Sequence, residues 1–341
     1  MAGDEVLEIA HVRDAEAQPG AVYRGRIVGT VGDAGTYFVD LGIGPPGLLQ
    51  TRAAAFDQGR AVAVAVTAAA RADKGPKLKL SNASSDAGSP SLLAAAPDPA
   101  ATWFKSHAAS IQQIIATSGA TRGLREALDA EAPIEPWRGR GHPFAELGID
   151  AEIDTALSPT VALSGGGSLV IESTAAAVTI DVNAGADSAD RANVAAMAAT
   201  ARQLRLRNIA GHILIDVIPT RRRRDLTGEL KRALAGDPMK PDVAGWTPLG
   251  MIELTRRRVR PALAEVMAAA TPYVVLRRAV EDALRTGRPH VRIGVAPATA
   301  ALLTGPLAAA VAEAASITRG RIEIHPVIDA PADLIRVTSS A

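Results

Sequence analysis

The sequence predicts an α/β chain of several domains, an α+β multidomain arrangement, and three observations carry that prediction. The first is length: 341 residues exceed the roughly 100 to 200 of a typical domain. The second is a series of short strand patterns broken by Gly and Pro between residues 21 and 82. The third is a strand, helix, strand pattern further along, followed by alternating helix and strand to residue 341. Composition agrees with a globular chain, since 48% of the residues are hydrophobic and 21% charged, although much of the apolar fraction is alanine.

Residues 1–20 form an acidic N-terminal segment. Residues 21–82 contain AVYRGRIVGTV, GTYFVDLG, PPGLLQ, AVAVAVTAAA and KLKLS. The period-two alternation of AVAVAVT and KLKLS is that of half-buried strands, and GDAG and GIGPPG supply turns. Five short strands so spaced suggest an OB-type barrel, a fold that binds oligonucleotides. Arg24, Arg26, Tyr37, Phe38 and Lys74, with Lys77 and Lys79, are its candidate RNA-facing residues. Tyr37 and Phe38 are adjacent and point to opposite faces, so one of them is expected in the core. The stretch 83–100 is rich in Ser, Ala and Pro and reads as a linker, and residues 101–162, with IQQIIA and LREALDA, read as connecting helices.

Residues 163–270 carry the most information. GGGSLVIES and AAAVTIDVNAG each hold a β-branched apolar run bounded by turn residues, the mark of a strand. DSADRANVAAMAATARQLRLRN reads as a helix starting at Asp or Ser, with Val194, Met197, Ala201 and Leu204 three or four apart. GHILIDVIP is a continuous apolar run of the kind that marks a strand buried on both faces. A strand, helix, strand crossover joins parallel strands, so Asp181 and Asp216, both near strand carboxyl ends, emerge at one sheet edge. Asn183, two residues after Asp181, projects on the same face. LTGELKRALA then reads as a basic helix, GDPMKPD as a loop carrying Lys240, and PLGMIELTRRRVRPALAEVM as a further helix. Residues 271–341 alternate helix and strand as a small α/β unit.

Carboxylates entering apolar strands are costly without a compensating cation, and magnesium takes one or two protein carboxylates while keeping several waters. Asp181 and Asp216 suit such an ion, with manganese as an alternative. By spacing alone the same aspartates could equally cap helices or pair with Arg202 or Arg205. The net charge of +1 announces no polyanion partner, but Arg221 to Arg224 and Arg256 to Arg260 form two basic runs able to hold phosphates or to line solvated helix faces. Arg202, Arg205, Arg221, Arg222, Arg256 and Arg258 are the candidate RNA contacts outside the barrel. The absence of cysteine excludes disulfides, thiolate nucleophiles and cysteine-held zinc. No stretch reaches 18 uncharged apolar residues and the N-terminus lacks a secretory pattern, so a cytoplasmic location away from membranes is expected. The six histidines form no metal-binding spacing.

TIDVNAG, ARQLRLRNIAG and HILIDVI, preceded by GGGSLVIES and followed by LGMIELTRRRVRPAL, resemble the catalytic region of the bacterial ribonuclease E/G family over residues 163–265. The resemblance implies a magnesium-dependent endoribonuclease acting on single-stranded RNA in its processing or decay, leaving a 5′-phosphate and a 3′-hydroxyl. It assigns the metal to Asp181 and Asp216, places Asn183 as the residue positioning those ligands, and puts Lys240 near the catalytic site. It also implies an OB-fold RNA-binding domain, which YRGRIVG, TYFVDLG and GLLQ resemble, with Phe38 as its stacking aromatic and Leu48 where a second aromatic is expected. The family fold makes residues 163–270 a DNase-I-like domain packed on an RNase-H-like element that includes residues 101–162.

Departures from the family pattern qualify that expectation. Pro219 stands where a second acidic residue is frequent, and Ala195, Ala198 and Ala199 replace acidic helix positions, so a catalytically reduced RNA-binding member is the alternative. Without cysteine the family's zinc-linked dimer is not expected, and the oligomeric state stays open. The short stretch between the barrel and GGGSLVIES implies loss of most of the pocket that senses a 5′-monophosphate.

Overall fold

In the computed structural model, residues 5–12, 16–32, 35–52, 55–71, 74–84, 88–128, 131–139, 142–221, 223–329 and 335–340 are described. By backbone contacts the chain divides into two units, one comprising residues 1–109 and 154–263, the other residues 110–153 and 264–341. Among the described residues no single helix is long and apolar enough to cross a membrane.

All five barrel strands form where the sequence places them, as β1 (Val22–Thr30), β2 (Thr36–Asp40), β3 (Gly47–Gln50), β4 (Ala61–Ala68) and β5 (Lys77–Leu80). Their order runs β1, β2, β3, β5, β4 and returns to β1, which closes the barrel. Closure depends on β1 serving two neighbours: residues 22–26 pair with β4 and residues 26–30 with β2, across an irregularity between Ile27 and Gly29. Such a bulge bends a strand sharply enough to turn a barrel corner. Ile27, Val39, Leu49 and Val64 fill the interior and are fully buried. The expected linker holds a further strand, β6 (Ser91–Ala94), paired to β1 outside the closed ring.

Asp98 then caps α1 (Pro99–His107), its carboxylate accepting from the Ala100 and Ala101 N–H groups. The connecting region contains β7 (Ile114–Ala116), α2 (Ser118–Ala127), β8 (Ile134–Pro136), α3 (Pro143–Glu146) and α4 (Ile149–Leu157). IQQIIA is therefore a short strand, parallel to β8, in place of the expected helix; adjacent β-branched Ile114 and Ile115 favour the extended form.

The second sheet of the first unit comprises β9 (Thr160–Ala162), β10 (Ser168–Ser173), β11 (Ala177–Asn183), β12 (Gly211–Asp216), β13 (Asp242–Trp246) and β14 (Ile252–Arg256). Its order is β13, β14, β12, β11, β10, β9. The crossover helix α5 (Ala189–Leu206) starts at Ser188, whose hydroxyl accepts from the Arg191 N–H, and joins parallel strands β11 and β12 as expected. With α6 (Arg223–Leu234) it covers one face, where Ile180, Ile213, Ile215, Met197, Leu204 and Leu230 form the core.

Two expectations change here. GHILIDVIP is not buried on both faces: Ile213 and Ile215 are buried while His212 and Asp216 are exposed, because helices cover the sheet on one side. The segment read as one helix from residue 248 begins instead as β14, with Ile252, Leu254 and Arg256 inward and Glu253 and Thr255 on the other face. That period-two alternation outweighs the helix-favouring arginines beside it. Val194, counted in the apolar stripe of α5, is exposed.

The second unit carries α7 (Leu263–Thr286), β15 (His290–Val295), α8 (Pro297–Thr304), α9 (Ala308–Thr318), β16 (Ile322–Pro326) and β17 (Ile335–Ser340). Strand β15 lies between parallel β16 and antiparallel β17. Val275, Ala279, Ile293, Val295 and Leu303 form its core.

Candidate active site

The site follows from strand register. Asp181 of β11 stands directly beside Asp216 of β12 on adjacent parallel strands, whose backbones are about 4.8 Å apart. Their neighbours Ile180, Val182 and Ile215 are buried beneath α5 and α6, so alternation turns both carboxylates to the opposite, open face. Both are exposed. The two carboxylates are thus held side by side on an open face and are not buried in an apolar interior. Asn183, also on that face, donates from Nδ2 to Asp181 Oδ2 at 3.0 Å and fixes the carboxylate's orientation.

Close backbone packing shapes this edge. The triple-glycine turn before β10 lies against the loop leaving β11: a Cβ on Gly185, which has φ of +60°, would fall 2.0 Å from the Gly166 carbonyl oxygen. Only glycine fits both that conformation and that approach, so GGG is a turn, as its sequence suggests. After Asp216, the chain is held by Asn193 of α5, fully buried, which donates from Nδ2 to the Ile218 carbonyl at 2.8 Å and accepts from the Ile218 N–H at 3.1 Å. Thr220 Oγ1 donates to Asp190 Oδ1 at 2.8 Å, a second tie between that loop and the first turn of α5. Sequence reasoning missed both residues. The available signal was a polar Asn193 inside the apolar stripe with Ala192, Ala196 and Met197.

The structure brings Asp181, Asn183 and Asp216 together and separates Lys240 from them. Lys240 lines a cleft of about 600 Å³ with Gly211, His212 and Arg257. That is the amino end of β12, while Asp216 is its carboxyl end; five residue steps of about 3.3 Å leave roughly 16 Å between them. The reason is that α6 carries the chain back across the sheet before β13 begins. Ala195, Ala198 and Ala199 belong to α5, which covers the face opposite the aspartates, so their lack of acidic groups does not deplete the pair.

Several of the arginines expected to contact RNA are engaged within the chain. Arg256 is buried: its Nε meets Asp237 Oδ2 at 2.7 Å, and its Nη1 donates to Asn208 Oδ1 at 3.0 Å and to the Ile209 carbonyl at 3.1 Å. Arg205 Nε pairs with Glu8 Oε2 at 2.9 Å, and Arg202 donates to the Val6 carbonyl at 3.3 Å, so both secure the N-terminal segment. Arg258 is half-buried and engaged, Arg221 is exposed, and Arg222 lies outside the described residues.

On the barrel, Tyr37 is core; its hydroxyl accepts from the Phe56 N–H at 3.2 Å and its ring meets Phe56 edge to face. Phe38 is 42% exposed and faces its register partner Leu48 on β3. Arg26 donates to the Gly59 and Gly88 carbonyls at 3.3 and 3.1 Å, and half-buried Arg24 lies against Gly88, so both help seat the barrel's loops. Lys74 is exposed.

Two aspartates and an amide fit magnesium, a hard ion content with one or two carboxylates and several waters. Among the described residues no group of three or more His, Cys, Asp or Glu side chains is placed to hold a metal.

Comparison with known proteins gives a concordant result. A family model described as Ribonuclease E/G family matches residues 79–259, just over half of the chain. The chain is 37% identical over 150 residues to Ribonuclease G of Escherichia coli (strain K12), covering 41% of this chain and 31% of that protein. It is 38% identical over 150 residues to Ribonuclease E of Nostoc sp., covering 41% and 22%, and 40% identical over 138 residues to the chloroplastic Ribonuclease E/G-like protein of Arabidopsis thaliana, covering 36% and 14%. The chain spans less than a third of the length of these curated relatives.

Proposed function

The chain belongs to the ribonuclease E/G family, and from that premise we propose that it is an endoribonuclease hydrolysing phosphodiester bonds of single-stranded RNA, with magnesium held by Asp181 and Asp216. The observation that carries the proposal is the register pairing of the two aspartates on one open sheet face, beside the Asn183 amide. Bound there, magnesium would polarise the phosphodiester and lower the pKa of a coordinated water. Asp181 and Asp216 supply the negative oxygens, Asn183 holds Asp181 in place, and Asn193 with Thr220 keeps the loop after Asp216 from drifting. Arg221, exposed five residues beyond Asp216, is a basic residue able to meet a phosphate at that edge. The closed barrel, an OB-type fold with Phe38 on its surface, would hold the strand by stacking. We also propose that the catalytic part of the chain is DNase-I-like, that it works in RNA processing or decay within the cytoplasm, and that it cleaves without regard to the 5′-end.

The test incubates the purified full chain with end-labelled single-stranded RNA, in magnesium or in EDTA, using substrates with a 5′-monophosphate or a 5′-triphosphate. Magnesium-dependent internal cleavage at equal rates for both ends is expected. Tight RNA binding without cleavage in magnesium would favour the catalytically reduced alternative, and a large monophosphate preference would refute the insensitivity.

A further inference from the structure

The three-stranded sheet of the second unit presents a basic open face. Val291, Ile293 and Val295 of β15 point into the core, so alternation turns His290 and Arg292 outward. Register sets Glu323 and Thr338 beside Arg292, and His325 and Arg336 beside Gly294, on the same open face. Arg292 is 67% exposed.

The leading edge of this sheet is more basic still. Arg319 has φ of +54° and ends α9, and Arg321 immediately precedes β16, its carbonyl accepting from the Val291 N–H at 2.8 Å. Between them a Cβ on Gly320 would fall 1.9 Å from the Pro289 carbonyl oxygen, so the 319–321 turn is packed directly against Pro289, next in sequence to Arg288. Arg288, Arg319 and Arg321 are all exposed. Glu323 is the one carboxylate among the described residues of these three strands, and it is shared between Arg292 at 3.6 Å and His325 at 3.5 Å.

We propose that this edge and face bind the phosphate backbone of single-stranded RNA. Charge complementarity supports it: five arginines, Arg292 and Arg336 on the strands and Arg288, Arg319 and Arg321 at the edge, with one carboxylate among the described residues of the three strands, form a field suited to a polyanion. Arginine and exposed hydroxyls such as Thr338 are the usual partners of phosphate and sugar. No Phe, Tyr or Trp occurs on these strands, so the proposed contact is with the backbone, independent of sequence and sensitive to salt. The proposal rests on RNA being the ligand of the activity proposed above, but not on cleavage.

The experiment measures binding of a fluorescently labelled single-stranded RNA to the full chain in EDTA, across a salt series, for wild type and the combined Arg288→Gln, Arg319→Gln, Arg321→Gln variant. Affinity should fall about tenfold or more, and the slope of log affinity against log salt should shrink by about two, at roughly 0.7 for each phosphate no longer neutralised. The matching triple lysine variant should recover most of both. Unchanged affinity and slope in the glutamine variant would overturn the proposal, as would equal loss in the glutamine and lysine variants with a lowered unfolding temperature. Wild-type binding to phosphatidylglycerol vesicles in place of RNA would also overturn it. An Asp216→Asn control separates the two readings: if it abolishes cleavage while the glutamine variant binds RNA like wild type, the surface fails and the enzyme stands.

Discussion

Replacing Arg256 by alanine decides between two roles for a residue whose place in a basic run suggests an RNA contact. Its guanidinium is enclosed with Asp237, at side-chain exposures of 3% and 4%, through Nε to Oδ2 at 2.7 Å and Nη2 to Oδ1 at 3.2 Å. Nη1 adds bonds to Asn208 and to the Ile209 carbonyl. Removing one partner of such a pair strands a buried charge and costs about 3 to 5 kcal/mol. For a unit of this size each kcal/mol lowers the midpoint of thermal unfolding by about 2 to 4 °C, so a drop on the order of 10 °C is expected. Differential scanning calorimetry and urea unfolding measure it. The double variant Arg256→Met, Asp237→Leu should recover much of the loss, because no charge is left uncompensated. An Arg256→Ala protein as stable as wild type but weakened in RNA binding would refute the structural assignment.

Neighbouring Tyr37 and Phe38 should behave oppositely: Tyr37→Ala is expected to destabilise the barrel by about 3 kcal/mol in urea unfolding, while Phe38→Ala leaves stability unchanged and weakens RNA binding by about 1 to 3 kcal/mol in a titration. Asn193→Ala leaves the Ile218 N–H and carbonyl without their partner and should cost about 1 to 3 kcal/mol. Its cleavage rate should fall further than its RNA affinity, and an equal fall in both would contradict a positioning role. His142 is held below its ordinary value by burial and by the Arg277 guanidinium, with Asp150 opposing, and its Nδ1 accepts from the Phe144 N–H at the start of α3. A base with a depressed folded pKa contributes stability above its unfolded value of about 6.5 that is lost as pH falls through the folded value. Chemical denaturation from neutral pH downward should therefore show a decline that His142→Asn, which keeps an acceptor but does not titrate, flattens.

Much of the fold was legible because local patterns coincided with tertiary needs. The barrel strands, α5 with its Ser188 cap and the parallel pairing of β11 with β12 all followed from periodicity and turn residues. From that pairing alone Asp181, Asn183 and Asp216 fall on one face. Hidden features depended on chain paths that no local pattern encodes. Lys240 is close to Asp216 in sequence, yet α6 returns the chain to the far end of the sheet. Arginine looks alike in sequence whether it meets solvent, as Arg221 does, or a buried carboxylate, as Arg256 does. The β14 strand was masked by the helix-favouring residues that follow its alternation, and Asn193 was masked by the helix around it.

The central claim is that the Asp181 and Asp216 pair carries the chemistry and not merely the binding. It is tested most directly by comparing wild type with Asp181→Asn and Asp216→Asn in one assay of single-stranded RNA cleavage in magnesium, with RNA affinity and unfolding midpoint measured alongside. Each exchange removes one negative oxygen donor from an exposed position, so fold and RNA affinity should persist while the cleavage rate falls by about a hundredfold or more, the scale of losing about 3 kcal/mol of transition-state stabilisation. Cleavage at the wild-type rate by either folded variant would contradict the account.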